Sequence, residues 1–342
     1  MRAQPPPLGP HDPKGPHMIT RRDVTSIQTD AQNAALAAHG LTDQDFIAAG
    51  TEARVYALDD THVLKLYAGH DQLPALQTLR DFYDRLRPGA LPYTLPKIHD
   101  IQTHEGLVVV TERRIHGQPM EDHLTADDPD LETLYLNTVA ALARVTLDRR
   151  LGRRQLLTEP GAPAASEPED WNAFLTHLIR AKLPAVLPLL RQDIEHADQR
   201  AEALLHSLSA PYRGPEGVIH GDLFPGNILM ADPHTVSGVI DFGTVTMIGD
   251  PLFDTAVACG FYRMYESDHL ITRQRLLTRA AACLRPQRRQ ALHVYLLANA
   301  LLTCDLYPHP DHPLRETGHY RWALTVLDHS PYWQQLAADS AP

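Results

Sequence analysis

The chain has 342 residues, which at roughly 150 residues per domain predicts about two lobes or domains. Hydrophobic residues make up 43% and charged residues 21%, a composition typical of a protein with a large core and not of a disordered or fibrous chain. The formal net charge is −11, and no positively charged patch that could bind a nucleic-acid duplex stands out, so we expect no nucleic-acid partner.

Cysteine usage and apolar runs bear on the cell compartment. Cys259, Cys283 and Cys304 are too few and too far apart for a disulfide framework or a zinc site, and they fit a reducing cytoplasm. The longest apolar run, residues 294–304, falls well short of the roughly 20 residues of a membrane span. The N-terminus has no apolar signal-peptide core. We therefore expect a cytoplasmic protein with no membrane partner.

The first part of the chain changes character along its length. Residues 1–20 are rich in Pro, Gly and His, have little to bury, and are predicted to form a disordered tail. Apolar periodicity then predicts, in chain order, a helix over residues 30–39, hairpin strands over 53–57 and 62–67, a helix over 73–86, and strands over 96–101 and 107–112. This region is expected to form a small sheet with one main helix.

From Glu121 onward the pattern is mostly helical. Apolar residues at helical spacing mark helices around residues 131–145 and 171–179. Between them, residues 158–170 are rich in Pro, Ala and Glu, which is typical of an exposed loop. Residues 217–243 interrupt the helices with short apolar runs that indicate strands.

That interruption contains two polar turns between apolar runs. The first reads His-Gly-Asp-Leu-Phe-Pro-Gly-Asn over residues 220–227, and the second reads Ile-Asp-Phe-Gly over residues 240–243. The oxygen-bearing side chains of Asp222, Asn227 and Asp241 are expected to converge there. A carboxylate with an amide oxygen suits Mg²⁺, and a separate carboxylate can accept the proton of an attacking hydroxyl.

The two turns resemble the catalytic loop and metal-binding turn of the protein-kinase-like superfamily, in particular its aminoglycoside phosphotransferase/choline kinase branch. The first turn has His-Gly-Asp with Asn five residues after the Asp, as that branch does. Only five residues separate Gly243 from the following Gly249-Asp250-Pro251, which leaves no room for the long activation segment of a protein kinase. The resemblance covers roughly residues 40–330.

The resemblance implies an α+β, bilobal protein-kinase-like fold. A small antiparallel sheet would form the N-lobe over residues 21–112, with a hinge over 113–117 and a larger, mainly helical C-lobe over 118–335. The C-lobe would hold a catalytic loop at 218–230 and a metal turn at 240–243. The implied activity is a Mg²⁺-dependent transfer of the γ-phosphate of ATP, with GTP also possible, to a hydroxyl of a small molecule. The sequence identifies neither the acceptor nor the oligomeric state.

The resemblance also assigns roles to individual residues. Asp222 would orient or deprotonate the acceptor hydroxyl, and Asn227 and Asp241 would hold Mg²⁺. His220 and Asp254 would brace the catalytic loop without touching substrate. In the N-lobe, the phosphates would be bound by Lys65 and covered by a turn that contains Gly50 and Thr51. The purine would meet backbone groups of a hinge segment that includes Glu112, Arg113 and Arg114.

One feature of the family is missing. The helical Glu that pairs with the strand Lys has no counterpart, because no Glu occurs between Glu52 and Glu105. Asp81 and Asp84 lie at about the right separation, and Asp84 is preferred because it falls nearer the apolar stripe of the helix. The missing Glu keeps open an alternative, a catalytically weak nucleotide-binding pseudokinase with a regulatory or scaffold role. A protein kinase is disfavoured by the short segment after the second turn.

Overall fold

The computed structural model describes residues 29–50, 53–147, 154–156, 170–306 and 313–338. The predictions for the tail over residues 1–20, for Thr51 and for the loop over residues 158–169 lie outside the described residues. In the described residues, a lobe built around a sheet is followed by a larger and mainly helical lobe.

The N-lobe contains one antiparallel five-stranded sheet in the order β1-β2-β3-β6-β5. Its elements are α1 (Thr29–Ala38), β1 (Phe46–Ala49), β2 (Ala53–Ala57), β3 (His62–Ala68), α2 (Leu73–Arg85), β4 (Leu86–Arg87), β5 (Ile98–His104) and β6 (Leu107–Arg113). The predicted hairpin and both predicted helices are confirmed. Strand β1 was not predicted, because its four side chains are all exposed and show no alternation.

The two faces of this sheet are covered by different partners. One face packs Tyr56 and Leu64 against Ala35 and Leu36 of α1. The opposite face carries Lys65, because successive side chains of β3 point to opposite sides of the sheet. On this second face, β6 contributes buried side chains to the main hydrophobic core, which also includes the buried stripe of α2.

The C-lobe contains short strands set among helices. Its elements are β7 (Gln118–Pro119), α3 (Pro129–Leu142), β8 (Thr146–Leu147), α4 (Trp171–Asp193), α5 (Ala197–Ser207), β9 (Gly217–Ile219), β10 (Ile228–Asp232), β11 (Thr235–Val239), β12 (Met247–Gly249), α6 (Leu252–Phe261), α7 (His269–Ala282), α8 (Pro286–Thr303), α9 (Gly318–Leu327) and α10 (Ser330–Ala338). Strand β10 pairs with β7 and β11, β12 pairs with β9, and β4 pairs with β8. The two polar turns that are predicted to contain the catalytic residues lie between β9 and β10 and between β11 and β12.

Helix α4 is, among the described residues, the one helix long and apolar enough to cross a membrane by length and composition. The sequence pattern had identified residues 294–304 as the longest apolar run, and these lie at the end of α8 and in the residue after it. Phe174, Leu175 and Ile179 of α4 are buried in the main core, and 28% of its apolar window is buried. Both segments therefore supply core side chains.

Candidate active site

The first polar turn requires glycine at one position. Gly221 has a φ of +81°, and a Cβ atom there would lie 2.1 Å from the carbonyl oxygen of Val245. A side chain would therefore meet both an unfavourable left-handed backbone and a backbone atom that cannot easily move. This explains why the chain reads His-Gly-Asp at this turn.

The backbone of the same turn is held from α6. The N–H groups of His220 and Gly221 donate to the two carboxylate oxygens of Asp254 at 2.7 and 2.8 Å. Asp254 is 3% exposed, and burial raises its pKa to about 7 although the two N–H donors oppose the change. The geometry agrees with the bracing role expected for Asp254.

The His220 ring joins the first turn to the second. Its Nδ1 accepts the N–H of Asp222 at 3.2 Å, so Nε2 carries the proton and donates to the carbonyl oxygen of Ile240 at 2.8 Å. Burial lowers the pKa of His220 to about 4, which keeps the ring neutral. Its ring centroid lies 4.4 Å from that of Phe242 in the second turn.

The two turns meet because β10 and β11 form an antiparallel hairpin. Next to the hairpin, the N–H of Ile240 donates to the carbonyl oxygen of Asn227 at 2.9 Å. The hydroxyl of Thr246 accepts the N–H of Gly243 at 2.9 Å and donates to the carbonyl oxygen of His220 at 3.1 Å. Backbone pairing and one buried hydroxyl thus fix the separation of the two turns.

The structure brings together Asp222, Asn227 and Asp241, as expected. The Nδ2 group of Asn227 donates to the carbonyl oxygen of Asp222 at 2.9 Å and to its Oδ2 at 3.3 Å. Burial raises the pKa of Asp222 to about 6, and the nearby charge of Asp241 raises it further, against the Asn227 hydrogen bond. Asp241 is exposed and has a φ of 71°, a left-handed conformation that is uncommon for a residue other than glycine.

These oxygen atoms fit Mg²⁺. Both hydrogen bonds of the Asn227 side chain use Nδ2, so within the described part of the chain no group donates to its Oδ1. The described residues likewise offer no hydrogen-bond donor to the carboxylate of Asp241. The described ranges hold no group of three or more His, Cys, Asp or Glu side chains that could hold a metal ion. Mg²⁺ does not need such a group of side chains, because it takes one or two protein oxygens and completes its coordination shell with water and phosphates.

In the N-lobe, Lys65 forms an ion pair with a residue of the neighbouring strand. Its Nζ lies 2.8 Å from Oε1 of Glu112, and both side chains are largely buried. Lys65 is opposite Val110 in the β3–β6 register, two residues before Glu112, so both side chains share one face of the sheet. Burial by itself would lower the pKa of Lys65, but the charges of Glu112 and Asp241 hold it above its ordinary value.

The structure does not bring Asp84 to Lys65. Asp84 and Asp81 are both exposed, whereas the preceding residue Tyr83 is buried. Since each residue turns a helix by about 100°, the residue after an inward-facing Tyr83 points to a different side. The expected helical partner of Lys65 is therefore corrected to Glu112 on β6, the last N-lobe residue before the predicted hinge, whose backbone the sequence analysis assigned to the purine.

Tyr83 is the residue of α2 that lies near the charged groups of Glu112 and Asp241. Its pKa is raised well above the ordinary value by burial, with added contributions from the charges of Glu112 and Asp241. Its ring centroid lies 5.9 Å from that of Phe242. Sequence periodicity identified Tyr83 as a member of the apolar stripe, and the stripe alone does not reveal that its hydroxyl lies near a charged cluster.

The predicted hinge uses part of its backbone within the protein. The N–H of Arg113 donates to the carbonyl oxygen of Lys97 at 2.9 Å, and the N–H of Arg114 donates to that of Thr61 at 2.8 Å. These two N–H groups are therefore not available to a purine. Within the described residues, the carbonyl groups of Arg114 and Ile115 and the N–H of Ile115 are left for such contacts.

At the turn between β1 and β2, the structure describes Gly50 but not residues 51 and 52. The N–H of Gly50 donates to the carbonyl oxygen of Ala53 at 2.9 Å. Among the described residues, a Cβ atom at Gly50 would meet only that oxygen, at 3.9 Å, and the φ of Gly50 lies outside the left-handed region. Neither space nor backbone conformation therefore requires glycine there.

Two side chains that the sequence analysis did not identify lie near Asp222. Burial raises the pKa of Tyr265, and the charges of Asp222 and Glu121 raise it further. Glu121 lies in a short turn, Met120–His123, that packs against the turn Pro225–Asn227. No local motif marks either residue, because the fold brings them together from separate parts of the chain.

A family model described as "Phosphotransferase enzyme family" matches residues 43–292. A comparison with curated protein sequences finds no match.

Several solved structures share the fold. A thermostable mutant of aminoglycoside phosphotransferase APH(4)-Ia, in complex with ADP and hygromycin B, is 17% identical with a TM-score of 0.64, covering 90% of this chain and 99% of that chain. Macrolide 2'-phosphotransferase MphH from Brachybacterium faecium is 18% identical with a TM-score of 0.50, covering 92% and 97%. A mutant of aminoglycoside 2'-phosphotransferase-IIIa with GDP is 16% identical with a TM-score of 0.51, covering 87% and 92%. The predicted bilobal kinase-like fold is confirmed.

Proposed function

This chain belongs to the phosphotransferase enzyme family, and from that premise we propose that it is a Mg²⁺-dependent small-molecule kinase. It transfers the γ-phosphoryl group of ATP or GTP to a hydroxyl of a small-molecule acceptor. The observation that carries this proposal is the convergence of Asp222, Asn227 and Asp241, with the ammonium of Lys65 close enough to Asp241 for its pKa to respond. Positioning and charge stabilisation supply most of the catalysis in such enzymes.

Asp222 is the proposed catalytic residue. As the acceptor oxygen bonds to the γ-phosphorus, its proton passes to the Asp222 carboxylate and the bond from phosphorus to the bridging oxygen breaks, releasing a nucleoside diphosphate. Asn227 holds one oxygen of that carboxylate through Nδ2, which leaves the other oxygen for the acceptor. The neutral His220 ring fixes the backbone of Asp222 through Nδ1 and carries no positive charge that would lower the proton affinity of the Asp222 carboxylate.

The amide of Asn227 also couples the proton acceptor to the metal site. Its nitrogen is directed at Asp222, so Oδ1 is left for a cation together with the carboxylate of Asp241. Mg²⁺ bound there would neutralise the charge that develops on the transferred phosphoryl group. Lys65 would balance the charge of the remaining phosphates.

The proposed donor and acceptor are supported by the molecules bound in structural neighbours. Structures of APH(4)-Ia contain AMP-PNP or ADP with hygromycin B, and the structure of aminoglycoside 2'-phosphotransferase-IIIa contains GDP. We accordingly propose a purine nucleotide as donor and a polar, hydroxyl-bearing small molecule as acceptor, near Tyr265 and Glu121. A cytoplasmic location is part of the proposal and is supported by three free cysteines.

The pseudokinase alternative rested on the missing helical Glu. The Lys65–Glu112 pair supplies a carboxylate to the strand lysine by another route, which argues against this alternative. A protein acceptor is argued against by the short connection from Gly243 to β12.

The decisive experiment measures ADP or GDP release by the purified protein with Mg-ATP or Mg-GTP. The acceptor panel would contain aminoglycosides, macrolides, amino alcohols, choline-like amines and sugars. Asp222→Asn is expected to lower kcat by about 100-fold or more, since it removes the proton acceptor, while nucleotide binding remains. The matched control, Asp232→Asn, alters an exposed aspartate at the tip of the β10–β11 hairpin and retains turnover.

Three results would contradict the proposal. Asp222→Asn with wild-type kcat would refute the catalytic assignment. Nucleotide binding without turnover on any acceptor, water included, would favour the pseudokinase. Phosphate transfer to proteins but not to small molecules would revive the protein-kinase alternative.

A further inference from the structure

The charged cluster of the N-lobe, formed by Lys65, Glu112 and Asp241 with the Tyr83 hydroxyl beside it, is arranged differently from the kinase template. In that template a lysine on a strand is held by a glutamate on the neighbouring helix. Here Lys65 Nζ is 2.8 Å from Glu112 Oε1, and Glu112 is 4% exposed. The described part of α2 has no Glu, and its aspartates Asp81 and Asp84 are exposed.

We propose that Glu112 is the positioning residue for Lys65, replacing from strand β6 the carboxylate that the helix lacks. This inference rests on the proposed kinase function and names a residue that acts on the nucleotide through Lys65. Glu112 itself would contact neither the phosphates nor the acceptor. The purine-contacting role that the sequence analysis assigned to this residue concerned its backbone and is a separate matter.

The sheet makes this pair independent of the position of α2. Lys65 and Glu112 lie on adjacent strands whose register runs without interruption from His62 opposite Arg113 to Ala68 opposite Leu107. Backbone hydrogen bonds between the two strands fix the relative position of side chains on one face of the sheet. The docking of a helix is not needed for this. The lysine is therefore in place before nucleotide binds, and no movement of α2 is needed to complete the pair.

The surroundings of the pair explain why a carboxylate is needed at this point. Glu112 is nearly fully buried, and Lys65 would lose affinity for its proton on burial without nearby negative charge. Tyr83 is neutral and cannot replace a carboxylate as a counter-charge. Removing the charge of Glu112 would leave Asp241 as the nearest negative partner in the cluster, which would draw Lys65 toward the proposed metal ligand.

The test is a double-mutant cycle on nucleotide binding, which needs no acceptor. Calorimetry with Mg-ADP would compare wild type, Glu112→Gln, Lys65→Met and the double variant. Glu112→Gln is expected to weaken Mg-ADP binding by about tenfold, as for loss of a buried charged hydrogen bond. In the Lys65→Met background the same change is expected to have almost no effect, since its target is gone.

Controls separate positioning from simple destabilisation. Glu112→Asp keeps the charge and should recover part of the affinity for Mg-ADP that Glu112→Gln loses. If Glu112→Gln does not fold, Glu112→Asp replaces it in the binding comparison. Asp100→Asn changes an exposed carboxylate on β5 of the same sheet and should bind Mg-ADP as wild type does. With a turnover assay, Glu112→Gln should raise the KM for nucleotide more than it lowers kcat.

The outcomes distinguish the inference from the proposed function. Wild-type affinity in Glu112→Gln, additive losses in the cycle, or an equal loss in Asp84→Asn would overturn the role of Glu112 while leaving the kinase proposal standing. Absence of Mg-ADP binding by the wild-type protein would overturn the kinase proposal and this inference with it.

Discussion

The polar turns of the C-lobe and the β1–β2 turn of the N-lobe are both expected to meet the nucleotide, yet they are held very differently. In the C-lobe, Asp254, the His220 ring and the Thr246 hydroxyl make buried hydrogen bonds to the turn backbones. At the N-lobe turn, among the residues that the structure describes, the N–H of Gly50 donates to the carbonyl oxygen of Ala53 next to a fully exposed strand. Groups that must align with a reacting atom need a rigid surrounding shell, and of these two regions only the C-lobe turns show such side-chain hydrogen bonds among the described residues.

The largest effect is expected at Gly221, where the C-lobe turn has no room for a side chain. Gly221→Ala should lower the free energy of unfolding by at least about 2 kcal/mol, because a left-handed backbone and a clash with the Val245 carbonyl act together. Urea denaturation would measure it. The matched control is Gly243→Ala, whose Cβ would meet no atom of the described residues within 4 Å. Equal stability of the two variants would show that the first turn is not rigid.

A smaller effect that depends on pH is expected at Asp254. Asparagine offers one acceptor oxygen, so Asp254→Asn leaves a buried N–H without its partner, at a cost of about 1–3 kcal/mol. Because burial raises the pKa of Asp254 to about 7, its contribution to stability is full below its unfolded pKa and is lost as the pH rises through 7. The difference in unfolding free energy between wild type and variant should therefore shrink as the pH rises from about 4 to 7.

Denaturation at a series of pH values checks this slope. The control is Asp232→Asn, since hydrogen bonding from the N–H of His234 lowers the pKa of Asp232. The stabilising contribution of Asp232 should grow as the pH rises from strongly acid values, so its pH dependence has the opposite sign to that of Asp254. A wild-type advantage over Asp254→Asn that grows from pH 4 to 7 would mean that Asp254 is ionised throughout, contrary to the assignment.

The smallest effect is expected at the N-lobe turn. Gly50→Ala should change the free energy of unfolding by less than about 0.5 kcal/mol, because among the described residues its Cβ would meet only the Ala53 oxygen, at 3.9 Å. The same denaturation assay measures it. A loss as large as that of Gly221→Ala would remove the contrast between the two regions.

Local patterns were sufficient for much of the molecule. The hairpin over residues 53–57 and 62–67, the stripe of α2 and the turns at 220–227 and 240–243 are short, continuous features whose periodicity or turn residues specify them directly. The placement of Asp222, Asn227 and Asp241 together followed from such features, because only the β10–β11 hairpin separates the two turns. Strand β1 escaped prediction for the complementary reason, since it buries no face and so has no apolar pattern.

By itself, the sequence determined which residue types were available for phosphoryl transfer and on which turns they lie. The tertiary structure decided which of them meet. Sequence spacing favoured Asp84 as the partner of Lys65, but the inward rotation of Tyr83 and the register of β6 with β3 selected Glu112. Strand register and helix rotation are set by the packing of whole faces against the core, and that packing sums contacts from residues far apart in the chain.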